Sequence, residues 1–167
     1  MTTTYKDAPE VKKIADELIP KYHQHIVDFN VRVDYLFIDK VPMKGDSEVW
    51  GTCRKITNLN AYLAADKQSG GDPFFVITIS EPIWDVLPED KRIALVDHEL
   101  CHTAAEYQEK DDEEPVLKLS CKPHDMEEFA CIVKRHGMWR DSIQDFVDNA
   151  RKDKEDTTEE IEEEDLE

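Results

Sequence analysis

The stretch LVDHELCHTAAEY, residues 95–107, sets His98 and His102 four positions apart, with Glu99 directly after the first. On a helix, positions i and i+4 share a face about one turn apart, so two imidazoles there can converge on one ion. Zinc suits such a pair. With three protein ligands it keeps a fourth position for water and draws that water's pKa toward ~7. A neighbouring carboxylate, here Glu99, can take the proton and pass it to a leaving amine. The chemistry implied is hydrolysis of a peptide bond. The bland alternative is a helix that carries two unrelated histidines, because three fixed letters in five recur by chance.

A zinc centre needs a further donor, and CKPHDMEEF, residues 121–129, offers several. His124 completes an all-imidazole set. Glu127 or Glu128 would instead give a two-histidine, one-carboxylate site. Glu128 or Asp125 could also orient a ligand from behind. The structural reading of these acids is a first helical turn whose charge complements the helix dipole. Cys121 and His124 make a CxxH spacing, so Cys121, His124, His98 and His102 could form a closed, inactive zinc site. His23 and His25 read as surface or partly buried side chains on the first helix. Arg135 and His136, in KRHGMWR, are candidates for stabilising an oxyanion; the alternative is a cationic helix end paired with nearby acids.

The elements that must hold these residues can be read from periodicity. Residues 8–30 place Val11, Ile14, Ala15, Leu18, Tyr22, Ile26 and Phe29 at helical spacing, with a break expected near Pro20. VRVDYLFI (31–38) and EVWGTCRKI (48–56) read as strands, and NLNAYLAADKQ as a strand continuation or short helix. FFVITIS (74–80) reads as a strand buried on both faces. A helix is expected over about 89–107, opened by Pro88, Glu89 and Asp90. Ile93, Val96, Leu100 and Ala104 fall in one core-facing arc of it, and His98 and His102 on the opposite side. VLKLSCK (116–122) reads as a short strand, and the residues from Pro123 onward as helix, with Phe129, Val133, Ile143 and Val147 as core positions and Gly137 as a stop or bend. The pattern predicts an α+β fold: a small mixed sheet packed by helices, with HExxH on a central helix.

The chain has 167 residues, enough for one domain over 1–150. Residues 151–167 hold ten acids and three bases and read as a disordered acidic tail. The net charge is −18, of which the body keeps −11. A body this acidic argues against direct nucleic-acid binding, which needs basic surface. No run approaches the ~20 apolar residues of a membrane span, and MTTTYKDAPEV has no apolar signal core. The expected location is cytoplasmic. The four cysteines form no CxxC pair and read as reduced thiols.

ALVDHELCHT followed by KPHDMEEFACIVKRHGMW resembles the phage metallopeptidase family and, more distantly, the SprT-like zinc proteases. The likeness to the phage group runs from IADELIPKYHQHIVD through MWRDSI. It implies a minimal zincin domain, a zinc ion held by His98, His102 and His124, and Glu99 as the catalytic residue. It also implies a phage origin, and with it the host cytoplasm as location, but no particular substrate; the hydrolytic chemistry calls for a protein or peptide, which could be a host protein. The SprT-like proteins usually carry basic DNA-binding elements, which are missing here, so a role at DNA does not carry over. A second class of function competes: an acidic phage protein that blocks a host nucleic-acid enzyme by charge mimicry, with zinc only structural. A protease masked until a partner binds is a third.

Overall fold

The computed structural model describes residues 2–63, 72–110, 113–124, 129–141, 143–145 and 147–148. Its elements run in the order β1 (Tyr5–Asp7), α1 (Pro9–Tyr22), α2 (Gln24–Asp28), β2 (Val33–Ile38), β3 (Met43–Lys44), β4 (Ser47–Glu48), β5 (Gly51–Ile56), α3 (Asn58–Leu63), β6 (Phe74–Ser80), α4 (Glu81–Val86), α5 (Glu89–Cys101), β7 (Thr103–Lys110), β8 (Glu113–Cys121) and α6 (Ala130–His136). The chain divides into two compact units, 1–130 and 131–167. The acidic tail and the acids at 125–128 lie outside the described residues.

In the first unit, four strands form a mixed sheet in the order β1-β2-β6-β5. β2 and β6 are parallel, Val33 opposite Phe75 through Ile38 opposite Ser80. β1 and β5 are antiparallel to their neighbours. β6 explains the sheet's position. Phe75, Ile77 and Ile79 are all fully buried, and Phe74 and Ser80, on the other face, are nearly so. A strand apolar on both faces belongs inside a sheet with cover on each side. This is the α+β architecture expected, a small mixed sheet packed by helices.

α1 buries Val11, Ala15 and Leu18, one turn apart, and packs against α5 and β2. Pro9 opens it at a position where a missing backbone donor costs nothing. The helix ends at Tyr22 and the chain restarts as α2 after His23, close to the break expected from Pro20. α4 packs on β6, and its Trp84 meets Phe37 of the neighbouring β2 at 5.6 Å between ring centroids. Arg92 on α5 donates from Nε to the Trp84 carbonyl at 2.9 Å and lies over its ring. That contact fixes the start of α5 against α4.

α5 departs from the sequence expectation twice. It ends at Cys101 instead of continuing to residue 107, and residues 103–110 form β7. β7 pairs with β8 in an antiparallel hairpin, Thr103 opposite Cys121, with an irregularity between Gln108 and Lys110. Nor does α5 keep one face in solvent: every residue from Ala94 to Cys101 is buried, His98 and Glu99 included. The sheet, α1 and the hairpin enclose the last two turns together. A third difference concerns His124. It follows β8 in an irregular segment, and the next described helix starts at Ala130.

In the second unit, α6 stops at Gly137, whose φ of +66° suits a residue without a side chain. Ile132 and Trp139 are buried there, and Val133, Ile143 and Val147 are half-buried. Among the described residues no helix is long and apolar enough to cross a membrane.

Candidate metal centre

Two segments bring three imidazoles together. His98 lies in the last turn of α5, and His102 caps its C-terminus with φ −70° and ψ −20°. Because His102 keeps helical backbone angles, the pair still stands one turn apart, with ring centroids separated by 5.2 Å. His124 arrives from the far end of the hairpin. Its Nε2 lies 3.0 Å from His98 Nε2 and 3.0 Å from His102 Nε2.

The hairpin fixes His124 through His102 itself. The Lys122 N–H donates to the His102 carbonyl at 2.7 Å, and His102 Nδ1 lies 2.6 Å from the Lys122 carbonyl. A carbonyl only accepts, so His102 carries its proton on Nδ1. Its Nε2 lone pair therefore faces the other two rings. A histidine whose second nitrogen is tied to a carbonyl in this way is oriented as a metal ligand. Phe129 closes the apolar side. Its buried ring lies 5.5, 4.9 and 5.5 Å from the rings of His98, His102 and His124. Exposure rises from buried His98 through half-buried His102 to exposed His124, so the cluster opens on the His124 side.

Three ring nitrogens aimed at one point fit a divalent transition ion, for which imidazole is a preferred donor. Among the described residues the set has three members, the number that an open site uses. Cys121 turns elsewhere: its Sγ lies 3.8 Å from the Cys53 carbonyl. Asp125, Glu127 and Glu128 fall outside the described residues.

Glu99 sits between His98 and His102 in sequence and is only 3% exposed. A glycine makes its place. A Cβ added at Gly51, the first residue of β5, would fall 2.6 Å from Glu99 Oε1 and 2.9 Å from Ile79 Cδ1. That is too close for any side chain, so the strand approaches the carboxylate because residue 51 has none. Gly51→Ala should therefore keep the imidazole cluster intact and push the carboxylate aside. A displacement of about 1 Å at a reacting group costs up to ~10²-fold in rate. Peptide hydrolysis measured alongside metal content checks this, and an unchanged rate would mean that the Glu99 carboxylate need not stay where Gly51 admits it.

His23 and His25 prove to be part of the scaffold. Sequence reasoning expected surface or partly buried side chains; His23 is 2% exposed and His25 half-buried. Both flank the α1–α2 break and hold the motif from its two ends. His23 Nε2 is 2.7 Å from Asp97 Oδ1, on the residue before His98. His25 Nε2 is 2.8 Å from Thr103 Oγ1, on the residue after His102. The Thr103 hydroxyl donates to the Leu100 carbonyl at 2.7 Å, so it accepts from a proton on His25 Nε2. Burial first, and then the charge of Lys122, lower the His25 pKa, which favours the neutral ring. His23, Asp97 and Cys101 also bring buried ligand atoms within 4.8 Å of one another. The His23–Asp97 separation is that of a hydrogen bond and accounts for the pair without an ion. Arg135 and His136 lie on α6 in the second unit.

The family model described as "Putative phage metallopeptidase" matches residues 3–151. The chain belongs to that family. The match covers both units as far as the acidic tail and includes His98, Glu99, His102 and His124. Membership in this family points to a metal-dependent peptidase, and the histidine cluster is where a metal ion could be held. Neither the curated proteins nor the solved structures gave a significant match.

Proposed function

We propose that this chain is a zinc-dependent metallopeptidase, phage-encoded and acting on a protein or peptide in the host cytoplasm. In this reading His98, His102 and His124 hold the ion and Glu99 is the general base. One observation supports it above the others: three Nε2 atoms from two segments of the chain converge with the His102 tautomer already set. When bound, the ion would acidify a water and polarise the scissile carbonyl.

The chain's own residues supply the rest. His98 is held by packing against Phe129 and by the Asp97–His23 bond behind it. His102 is held by Lys122. A carboxylate oxygen of Glu99 accepts a proton from the attacking water and returns it to the leaving amine nitrogen. Its burial excludes bulk water, so the proton is not exchanged away during that transfer. β5 ends the sheet, and its Gly51 end lies against Glu99.

The test uses the full chain, a peptide library of mixed sequence and stoichiometric zinc. Cleavage that stops with a chelator and returns with zinc is the expected result. No cleavage in any zinc-loaded sample would overturn the reading.

A further inference from the structure

Two of the four thiols stand together beside the site, on strands that lead into it. Cys53 lies on β5 and Cys121 ends β8. Cys121 Sγ donates toward the Cys53 carbonyl at 3.8 Å, and the two side chains are in hydrogen-bonding contact. Two residues further along each strand, Lys55 Nζ donates to the Leu119 carbonyl at 3.1 Å. These two contacts hold β5 and β8 side by side where Cys121 reaches residue 53. The other two thiols are placed differently: Cys101 is buried inside α5, and Cys131 belongs to the second unit.

We propose that Cys53 and Cys121 are an oxidisable thiol pair, which a peroxide closes to a disulfide between β5 and β8. Their environments divide the labour. Cys121 is exposed and meets the oxidant first. Burial, the neighbouring Cys121 and the Glu99 carboxylate all push the Cys53 thiol up, so it stays protonated and unreactive until a partner sulfur is presented. In the first step the Cys121 sulfur attacks one peroxide oxygen. The O–O bond breaks, giving a sulfenic acid on Cys121 and one water. In the second step the Cys53 sulfur attacks that sulfenic sulfur. The S–O bond breaks, the hydroxyl leaves with the Cys53 proton as a second water, and the disulfide forms. Two thiols lose two electrons to one peroxide, and reduction by a dithiol restores them.

The bond would reach both halves of the centre. Cys53 is two residues from Gly51, which makes room for Glu99. Cys121 precedes Lys122, whose carbonyl holds His102. Closing the disulfide shifts both, which makes the pair an off-switch for hydrolysis. This regulatory part rests on the peptidase reading; the bond itself does not.

The experiment treats the full chain with hydrogen peroxide, blocks residual thiols by alkylation and maps peptides without reduction. The expected product is a single crosslink joining the peptides of Cys53 and Cys121, reversed by dithiothreitol, with Cys101 and Cys131 alkylated. Cys53→Ala should leave a sulfenic acid on Cys121 that dimedone traps, and Cys121→Ser should give no crosslink. Both outcomes would support the pair. Sulfinic acid on Cys121 without a crosslink, or crosslinks scattered over all four cysteines, would overturn it. In a chain that hydrolyses peptide, peroxide should lower the rate between about ten- and a hundredfold, reversibly, and leave Cys121→Ser unaffected. A crosslink with no change in rate would overturn the switch. A crosslink in a chain that cleaves nothing would instead count against the peptidase reading and leave the thiol pair standing.

Discussion

Glu99→Gln should retain the fold and the bound zinc and lower peptide hydrolysis by about 10²–10⁴-fold, the usual worth of a positioned general base. Glutamine keeps the size of the side chain, so it still fills the space that Gly51 leaves. It cannot accept the proton. Loss of rate with full metal content separates a base from a ligand, since a lost ligand would reduce both. Comparable kcat in wild type and variant, each carrying equal zinc, would sink the assignment. Circular dichroism on the same samples guards against a folding defect, because Glu99 is buried in a helix packed on all sides.

His124→Ala should weaken zinc binding by more than about a hundredfold, since even the loss of a group supporting a ligand costs 10–100-fold. Hydrolysis should fall with it. The fold should survive, because His124 is exposed and the hairpin is held by its own ladder and by the His102–Lys122 bonds. Competition against a chromophoric chelator measures the affinity. The same measurement on Glu127→Ala and Glu128→Ala decides between donors. If either acid variant lost zinc while His124→Ala kept it, the third donor would be a carboxylate.

The fold was legible where local pattern and tertiary demand agree. FFVITIS reads as a buried strand because it runs with almost no polar break, and β6 lies inside the sheet. The helical spacing of Val11, Ala15 and Leu18 gave α1, and Pro20 gave its break. The end of α5 was not legible. Thr103-Ala104-Ala105-Glu106 holds no glycine or proline, and alanine favours helix. Tertiary bonds end it instead: Thr103 with Leu100 and His25, and the ladder of β7 on β8. β1 was not visible either, since its three residues are exposed and show no alternation.

The candidate site follows the same division. HExxH and the later histidine announce themselves by residue type, and the structure brings all three imidazoles together. The residues that hold them do not. Gly51 offers the faint signal of a glycine within a strand. His23 and His25 face the motif across more than seventy positions of sequence, with |i−j| of 74 and 78. No spacing rule reaches that far.

Those separations have a consequence for how the molecule assembles. The three imidazoles come from one short stretch, with His98 and His124 only 26 positions apart and closed by one hairpin. The wall beside Glu99 and the anchors behind the motif come from the first third of the chain. Short loops close cheaply and quickly, while long ones close late. A refolding or partly melted chain can therefore gather the histidines before β5 and the α1–α2 corner dock. In the metallopeptidase reading, such a chain would take up its ion while the Glu99 carboxylate still lacked a wall. The ordering would give a refolding polypeptide an interval in which its imidazoles are assembled while Glu99 still lacks the wall that Gly51 provides.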